Sequence, residues 1–345
     1  MTAPTVSVII PTYNRPQLLA RAIRSVAAQT FNDYELLVVQ NGGTRESEHV
    51  TNGFHSQIPN LRYLSEPVAN PARARNVGMC AAHGRYLAFL EDDDLWIPEK
   101  LERQVQVLEE MPDVGMVTCR SWEVNLDGTV VGERPPEALR CDFKSLVTED
   151  CGRLISSLSG VVLRKSCVDR IGDFKTSYRI SGDVEFYLRV ARDSRIHSMP
   201  EFLFFYTVHH ANLSGNWLRG WIDVAKILHG LAPDESLGVS RDVLHAALLR
   251  YCQRIYRRAV DAFNAKRYRE AARLYAVVLQ LDPWIGNKIP WGRFSNPLYR
   301  LARPYGALAY SAIAALRSRY TKNETDQPTL SAVPNKALMP SETAR

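Results

Sequence analysis

The most constraining feature of this sequence is a pair of apolar runs on either side of an amphipathic segment. Residues 6–10 are mostly β-branched and residues 35–39 are mostly aliphatic, a pattern typical of strands that are buried on both faces. Between them, Leu19, Ile23 and Val26 recur at helical spacing. Strand, helix and strand in this order predict parallel strands joined by a right-handed crossover, which is the repeating unit of an α/β fold.

Further runs extend this pattern along the chain. Strands are predicted at residues 61–64, 86–90, 114–118, 160–163 and 202–208, and helices after Pro98 and at residues 183–193. Asn14 or Arg15 is predicted to cap the first helix, with Pro16 in its first turn. The predicted fold class is therefore α/β, a Rossmann-like, mixed but mainly parallel sheet flanked by helices.

The chain changes character at Trp217. Residues 217–320 carry 17 Lys and Arg against 7 Asp and Glu, whereas the whole chain has a net charge of +6. Because a single core rarely grows beyond about 250–300 residues, we predict a globular domain over residues 1–215, a helical region over 216–320 and a disordered tail over 321–345. Within the helical region, residues 262–283 resemble the second half of a tetratricopeptide repeat.

The cysteines and the N-terminus bear on where the protein works. Six cysteines are scattered without a Cys-x-x-Cys pair, which favours reduced, mostly buried thiols in a cytoplasmic protein. No basic and apolar leader opens the chain, and no stretch reaches the about 18 apolar residues of a spanning helix. The basic C-terminal region can contact an anionic surface or form solvated helix faces, and no nucleic acid partner is predicted.

Four consecutive acidic residues follow the fourth predicted strand. Glu91, Asp92, Asp93 and Asp94 lie beyond its carboxyl end, where open parallel sheets bind their ligands. Four like charges destabilise a fold unless a cation compensates them, and carboxylate oxygens select Mg²⁺ or Mn²⁺. The alternative is a solvated acidic turn that caps the helix after Pro98.

Four segments, in order, resemble family 2 glycosyltransferases of the Rossmann-like GT-A fold. FLEDDDLWIPEKL, at residues 89–101, resembles the metal-binding segment of that family, and VSVIIPTYNR, at 6–15, resembles its opening strand and nucleotide-binding loop. ARARNVG, at 72–78, is similar to its Ala-Arg-Asn segment, and SGDVEFYLRV, at 181–190, is similar to its acceptor-side helix. The resemblance covers residues 5–215 and implies a catalytic domain that transfers a sugar from a nucleotide donor with inversion.

The resemblance implies which residues hold the donor. They are Pro11, Thr12, Tyr13, Arg15, Gln40, Asn41, Arg75, Asn76 and Asp92. Tyr13 is implied to stack on the nucleobase, although it is equally a buried packing residue, and Asp92 is implied to contact the ribose. Arg75 is implied to face the donor phosphates, because a guanidinium matches phosphate geometry; a surface ion pair is its alternative role.

The resemblance also implies metal ligands and a catalytic base. Glu91 and Asp93 stand at the outer positions of the family's Asp-x-Asp motif, with Glu91 replacing the first Asp, and Asp93 is implied to bind a Mn²⁺ or Mg²⁺ that bridges the donor phosphates. His209 or the adjacent His210 is implied to face that metal or the diphosphate, with His209 preferred. Asp183 is implied to take the proton of the acceptor hydroxyl, and its alternative role is a helix cap.

One position departs from the family's pattern and leaves the donor open. The family has an acidic residue after its second strand, whereas this chain has Gln40 and Asn41. The amide of Gln40 can still pair with a uracil edge, because it has both a donor and an acceptor. A UDP-sugar is the default donor, with dTDP- and GDP-sugars as alternatives, and the acceptor implied is a cell-surface glycan or a lipid-linked sugar.

Two other classes of protein compete with this interpretation. A catalytically silent nucleotide-sugar-binding or scaffold protein would use the same pocket or the C-terminal helices. A dinucleotide oxidoreductase is disfavoured, because no Gly-x-Gly-x-x-Gly follows the first strand.

The basic region and the implied acceptor together suggest a position at the inner face of the membrane. Apolar and aromatic residues alternate with arginines at Tyr299, Arg300, Leu301, Arg303, Tyr305, Leu308, Ile313, Arg317 and Arg319. Such an alternation suits a peripheral membrane contact or a domain interface. We therefore expect a cytoplasmic protein with a peripheral contact at the inner membrane face.

Overall fold

The computed structural model describes residues 3–134, 141–149, 154–178, 180–210, 212, 215–282, 307–308 and 311–312. One compact unit spans Met1–Ile255, and a second unit begins at Tyr256. Within the described residues, the first unit contains a sheet of nine strands.

The first half of the sheet is built as the sequence predicts. Its strands are β1 (Val6–Thr12), β2 (Tyr34–Asn41), β3 (Leu61–Glu66) and β4 (Tyr86–Phe89), and its helices are α1 (Pro16–Ala27), α2 (Glu46–Asn52) and α3 (Pro71–Ala81). The strands lie in the order β3-β2-β1-β4, and all of them pair in parallel. This confirms the predicted parallel pairing and brings the carboxyl ends of these strands to one edge of the sheet.

The second half of the sheet is mixed. Its strands are β5 (Leu95–Trp96), β6 (Val114–Val124), β7 (Val130–Arg134), β8 (Val162–Arg164) and β9 (Arg195–Thr207), and its helices are α4 (Lys100–Glu110), α5 (Phe143–Thr148), α6 (Lys165–Ile171) and α7 (Gly182–Asp193). From β4 the order continues as β8-β6-β9-β5, with β7 beside β6. In this half β6 and β9 pair in parallel, and the other pairs are antiparallel. The mixed, helix-flanked sheet confirms the predicted fold class.

Several elements differ from the sequence prediction in length or number. β6 continues to Val124 and β9 begins at Arg195, because the two strands pair with each other over most of their length. That pairing extends both strands beyond the apolar runs at residues 114–118 and 202–208. The sequence pattern does not reveal β5, β7, α2, α3, α5 and α6, which are short or lack a regular apolar stripe.

The loop after β1 is held differently from the prediction. Asn14 does not cap α1: its φ is +52°, and its Oδ1 accepts a hydrogen bond from the backbone N of Thr44 at 2.8 Å. Arg15 occupies the cap position without a side-chain capping bond. Gly43 (φ +78°) lies against this contact, and a Cβ there would be 2.1 Å from Asn14 Oδ1. The loops after β1 and β2 are therefore held together at the carboxyl edge of the parallel strands.

The helices pack closely on β1, which is buried along its whole length. α1 buries the predicted apolar face, formed by Leu19, Ile23 and Val26. α3 approaches the strand at Gly78, where a Cβ would lie 2.5 Å from Ile9 Cγ2. Only a glycine permits this approach, which holds the helix that carries the Ala-Arg-Asn segment against the centre of the sheet.

Three helices follow the sheet, α8 (Trp217–His229), α9 (Arg241–Asn264) and α10 (Tyr268–Leu281), and they confirm the predicted helical C-terminal region. The first compact unit ends inside α9, so α8 belongs to the unit that contains the sheet. The predicted division after residue 215 stays a prediction. In the second unit, the rings of Tyr256 and Tyr275 meet edge to face at 5.5 Å, which joins α9 and α10 as a helical hairpin.

Other sequence predictions fall partly or wholly outside the described residues. The predicted tail at 321–345 and nearly all of the alternation of aromatic residues and arginines lie there. Within the described residues no disulfide forms, and four of the five cysteines are buried, Cys80 being exposed. No helix in the described part of the chain is long and apolar enough to cross a membrane.

Candidate active site

The four acidic residues form a tight turn between β4 and β5, at the carboxyl end of the parallel strands. The backbone N of Asp94 donates to the carbonyl O of Glu91 at 3.1 Å, which closes the turn. Each of the four carboxylates has its own partners, drawn from elements that are distant in sequence.

Asp92 is held by the loop after β1. Its Oδ2 accepts hydrogen bonds from Thr12 Oγ1 at 2.8 Å and from the backbone N of Tyr13 at 3.3 Å, and its Oδ1 lies 3.2 Å from Arg15 Nη1. Asp92 is only 5% exposed. Burial, reinforced by the charge of Asp93, raises the pKa of Asp92 to about 7, and the Arg15 guanidinium opposes that rise.

Asp93 and His209 meet although 116 residues separate them. His209 Nε2 lies 3.0 Å from Asp93 Oδ2, and Arg15 Nη1 lies 2.7 Å from the same oxygen. The adjacent His210 is exposed, so His209 is the histidine that faces the acidic turn. Within the described residues, no group of three or more His, Cys, Asp and Glu side chains is arranged to hold a metal ion.

Glu91 is paired with Arg75 from α3. Arg75 Nη2 lies 2.6 Å from Glu91 Oε1, and the Arg75 side chain is 14% exposed. The guanidinium lies over the ring of Phe174, 5.6 Å from its centroid. In the part of the chain that the structure describes, Arg75 Nε is buried and has no hydrogen-bond partner.

Asp183 lies in the first turn of α7, close enough to Arg75 for the two charges to interact. Ser181 occupies the cap position, so Asp183 does not cap the helix; its Oδ1 accepts from the backbone N of Val184 at 2.9 Å. Burial raises the pKa of the Asp183 carboxyl, and the Arg75 guanidinium limits that rise. The structure therefore brings the predicted base to the Arg75 side of the acidic turn.

Three predicted donor-binding amides bond within the protein. Gln40 Nε2 donates to the carbonyl of Gly42, and Gln40 Oε1 accepts from Tyr63 Oη at 3.4 Å. Asn41 Oδ1 accepts from the backbone N of Asn70 at 2.6 Å. Gln40 and Asn41 are both buried, and their side chains brace the loops around the predicted nucleobase pocket.

Asn76 is the third of these amides. Its Nδ2 donates to the carbonyl O of Phe174 at 2.9 Å, and its Oδ1 accepts from the backbone N of Phe174 at 3.0 Å. The Phe174 ring in turn stacks on Phe186 of α7, with centroids 4.1 Å apart. Asn76 therefore fixes the residue that packs between Arg75 and the helix of the predicted base.

The loop after β1 leaves one ring open to solvent. Tyr13 is 47% exposed, which contradicts the alternative of a buried packing residue, and its backbone N is the group that binds Asp92. Pro11 is buried in β1 and shapes the strand end without offering a donor.

Asp94 and Ser159 were not assigned roles from the sequence, yet they tie the turn to the second half of the sheet. Asp94 Oδ2 accepts from Ser159 Oγ at 2.6 Å, and its Oδ1 accepts from the backbone N of Thr207 at 2.9 Å. Ser159 Oγ also accepts from the backbone N of Glu91 at 3.0 Å. The acidic run marks Asp94 in the sequence, whereas nothing local marks Ser159, which is 65 residues away.

Side chains of β5 and α4 hold the backbone of the Ser159 turn through a second set of hydrogen bonds. Trp96 Nε1 donates to the carbonyl O of Ser159 at 2.7 Å, and Gln104 Nε2 donates to the carbonyl O of Gly160 at 2.8 Å. Gln104 Oε1 accepts from Lys100 Nζ at 2.6 Å, and Lys100 is fully buried. Burial lowers the pKa of Lys100 to about 8.

The candidate site lies at the carboxyl edge of the parallel strands and is lined by carboxylates, a histidine and two arginines. The sequence profile described as Glycosyl transferase family 2 matches residues 7–171. An uncharacterized glycosyltransferase of Nostoc sp. is 30% identical over 212 residues, which are 60% of this chain. The chain therefore contains a glycosyl transferase family 2 domain over residues 7–171. The chain spans 66% of the Nostoc protein's length.

Solved structures share the fold. S. aureus TarS 1–349 in complex with UDP superposes with a TM-score of 0.62 at 16% identity, covering 92% of each chain. The mannosyltransferase PcManGT from Pyrobaculum calidifontis, in complex with GDP-Man and Mn²⁺, superposes with a TM-score of 0.54 at 18% identity, covering 93% of this chain and 89% of that one. These likenesses confirm the predicted GT-A fold.

Proposed function

We propose that this protein transfers a sugar from a nucleoside diphosphate donor to an acceptor hydroxyl, with inversion and with the help of a divalent metal. The observation that carries the proposal is the convergence of Asp93 and His209, 3.0 Å apart, beside the Arg75 and Asp183 pair. A metal ligand pair, a phosphate-binding cation and a base are the groups that such a transfer requires.

The loop after β1 and the N-terminal half of α3 supply the donor site. The exposed ring of Tyr13 can stack on a nucleobase, as aromatic side chains do in nucleotide sites. Arg75, whose side chain is 14% exposed, and Arg15 bring two guanidinium groups to the acidic turn, where they can bind phosphate oxygens. A UDP-sugar is our default donor, supported by the UDP bound to TarS; the GDP-Man of the mannosyltransferase keeps a GDP-sugar open, and dTDP-sugars also remain.

The residues at the turn fit a divalent ion. The 3.0 Å between Asp93 Oδ2 and His209 Nε2 is close to the separation of two adjacent ligands around an octahedral ion with bonds of about 2.1 Å. Asp93 and His209 would hold the ion once Arg15 leaves Asp93 Oδ2, and Glu91 would join them only on leaving Arg75. When bound, a Mn²⁺ or Mg²⁺ stabilises the negative charge on the departing nucleoside diphosphate.

Asp183 is our proposed base. Its raised pKa moves the carboxylate towards the range in which it accepts a proton from a hydroxyl effectively. The acceptor oxygen, once deprotonated, forms a bond to the anomeric carbon while the bond from that carbon to the diphosphate breaks on the opposite face. The proton remains on Asp183 Oδ until it is lost to solvent.

The acceptor and the cellular location are proposals of the same kind. We propose a growing cell-surface glycan or a lipid-linked sugar as acceptor, and a cytoplasmic protein with a peripheral contact at the inner membrane face. The support is the basic character of residues 217–320, which suits an anionic surface. Retention on anionic vesicles at low salt, lost at high salt, is the expected result, and no retention at low salt contradicts the membrane contact.

The deciding experiment is a donor screen by calorimetry with and without Mn²⁺, followed by an assay for slow donor hydrolysis. We expect Mn²⁺-dependent binding of one nucleotide class, and turnover lowered by about 10³-fold in Asp93→Ala, because the variant loses the ligand that faces His209. Asp113→Ala, which removes a carboxylate that is 63% exposed, is the matched control. Binding without hydrolysis or transfer would favour the silent binding protein, and full turnover in Asp93→Ala would refute the metal site.

A further inference from the structure

Helix α8 is joined by two hydrogen bonds to the segment that opens α7. The backbone N of Ile180 donates to Asp223 Oδ2 at 3.3 Å, and Ser181 Oγ donates to the carbonyl O of Gly220 at 3.3 Å. Ile180 and Ser181 immediately precede α7, and Asp183 is the second residue of that helix. α8 therefore contacts the start of the helix that carries the proposed base.

Asp223 is a costly residue in this position. It is 2% exposed, and its charged partner, Arg219, has its Nε 3.5 Å away on a side chain that is 54% exposed. A buried carboxylate with one long ion pair destabilises a fold unless it makes other contacts. The segment before α7 provides one, because the backbone N of Ile180 donates to Asp223 Oδ2, and a carboxylate near the positive end of a helix is favourable.

The later turns of α7 are anchored by different groups. Arg189 Nη1 donates to the carbonyl O of Ile171 at 2.6 Å and to that of Gly172 at 2.9 Å, and the same guanidinium pairs with Glu185 at 2.8 Å. These contacts fasten the middle of the helix to the loop before it. The two residues that precede the helix, Ile180 and Ser181, are instead fastened by α8.

We infer that Asp223 is a positioning residue for the reaction. By accepting the Ile180 N–H, it fixes the start of α7 and hence the Asp183 carboxylate relative to the acidic turn. α8 belongs to the helical C-terminal region, so on this inference that region supports the active site. The inference rests on the proposed function, and a displacement of about 1 Å in a catalytic group costs about 10²-fold in rate.

Two substitutions at one position separate positioning from folding. Asp223→Ala removes the acceptor and is expected to lower kcat for transfer by about 10- to 10²-fold, measured well below its unfolding temperature, with the Kd for UDP and Mn²⁺ unchanged. Asp223→Asn keeps a carbonyl oxygen for Ile180 and is expected to restore most of the rate. Asp242→Asn, at an exposed carboxylate of α9, is the matched control and should behave as wild type.

Several outcomes overturn the inference. An unchanged kcat in Asp223→Ala does so, as does an equal loss of turnover and nucleotide affinity, which indicates general damage. An Asn variant as slow as the Ala variant overturns the hydrogen-bond form of the inference. Hydrogen exchange of residues 180–184 tests the contact without an activity assay. Faster exchange in Asp223→Ala, with α3 unaffected, supports the inference, and unchanged exchange overturns it. This result is independent of whether the protein turns over any donor, so it separates the inference from the proposed function.

Discussion

The two halves of the sheet reach the same site by different routes. In residues 6–89, every pair is parallel: β1 pairs with β2, the next strand in the chain, and with β4, about 80 residues later, and Thr12, Tyr13 and Arg15 reach Asp92 from the end of β1. In residues 95–207, β6 pairs in parallel with β9, about 80 residues later, and antiparallel with β7 and β8. The first half is therefore a parallel half, built from alternating strands and helices, and the second is a mixed half, built from parallel and antiparallel pairs.

This difference divides the proposed chemistry. The parallel half, residues 6–89, carries the groups that we propose bind the donor. The mixed half, residues 95–207, and the loop after it supply Asp183, the Ser159 turn and His209. Substitutions in the first half should therefore change nucleotide affinity, and substitutions in the second half should change turnover. A variant of one half with the phenotype of the other would break the comparison.

The largest expected effect lies in the mixed half, at Asp183. Asp183→Asn should lower kcat by about 10²- to 10⁴-fold, because an amide cannot accept the acceptor proton, while the Kd for UDP and Mn²⁺ stays unchanged in calorimetry. The control is Asp193→Asn at the other end of α7, a carboxylate that pairs with Arg170 on the surface and should be dispensable. Wild-type turnover in Asp183→Asn, or loss of nucleotide binding, would contradict the assignment.

The same division explains how far the sequence predicts this molecule. The runs at residues 6–10 and 35–39 and the stripe of α1 are local signals, and β1, β2 and α1 form there. The acidic turn and its partner loop were likewise marked by residues close in sequence. β7 and the first half of β9 have no such signal, because their pairing partners, not their own apolar pattern, make them strands.

The candidate site follows the same rule. The family resemblance identified Asp93 and His209, and the structure brings them together. The resemblance could not show that Gln40, Asn41 and Asn76 bond to neighbouring backbone and side chains, because a sequence does not tell whether an amide is exposed or buried. Ser159 also went unnoticed, because a lone serine acquires its role only when folding brings it to the turn.

A second effect, on stability, tests the buried layer beneath the site. Lys100 has a pKa lowered by burial from 10.5 to about 8, a difference worth about 3 kcal/mol. Its contribution is fully present above the unfolded pKa and is lost as pH falls through the folded pKa. The free energy of unfolding of wild type, relative to Lys100→Met, should therefore rise by about 3 kcal/mol between about pH 7 and about pH 11.

Denaturant unfolding of both proteins across that range measures this effect, and other titrating groups cancel in the difference. Parallel stability curves would mean that Lys100 is solvated in the folded state and that the layer formed with Trp96 and Gln104 is open. A difference in unfolding free energy that rises with pH would show that the mixed half contains a buried cation, Lys100, beside the Ser159 turn.

A smaller effect is expected where the halves join. Ser159→Ala removes the bond to Asp94 and the acceptor for the Glu91 N–H, at a cost of about 2 kcal/mol in stability and about tenfold in turnover as the turn shifts. Ser7→Ala is a close control, since Ser7 is equally buried and donates to Glu35 Oε1 at 2.7 Å at the far end of β1. Both variants should lower the unfolding temperature, and only Ser159→Ala should lower kcat; equal kcat values would remove Ser159 from the site.

The smallest effect is expected in the parallel half, at Tyr13. Tyr13→Ala removes a ring that is 47% exposed and should weaken UDP binding by about 1 kcal/mol, or about fivefold in Kd, because stacking on a base is lost. Tyr13→Phe keeps the ring and should bind as wild type. Neither change should alter stability, since the backbone N that binds Asp92 remains. An unchanged Kd in Tyr13→Ala would mean that the base lies elsewhere, and a fall in kcat at saturating donor would place Tyr13 with the catalytic groups of the other half.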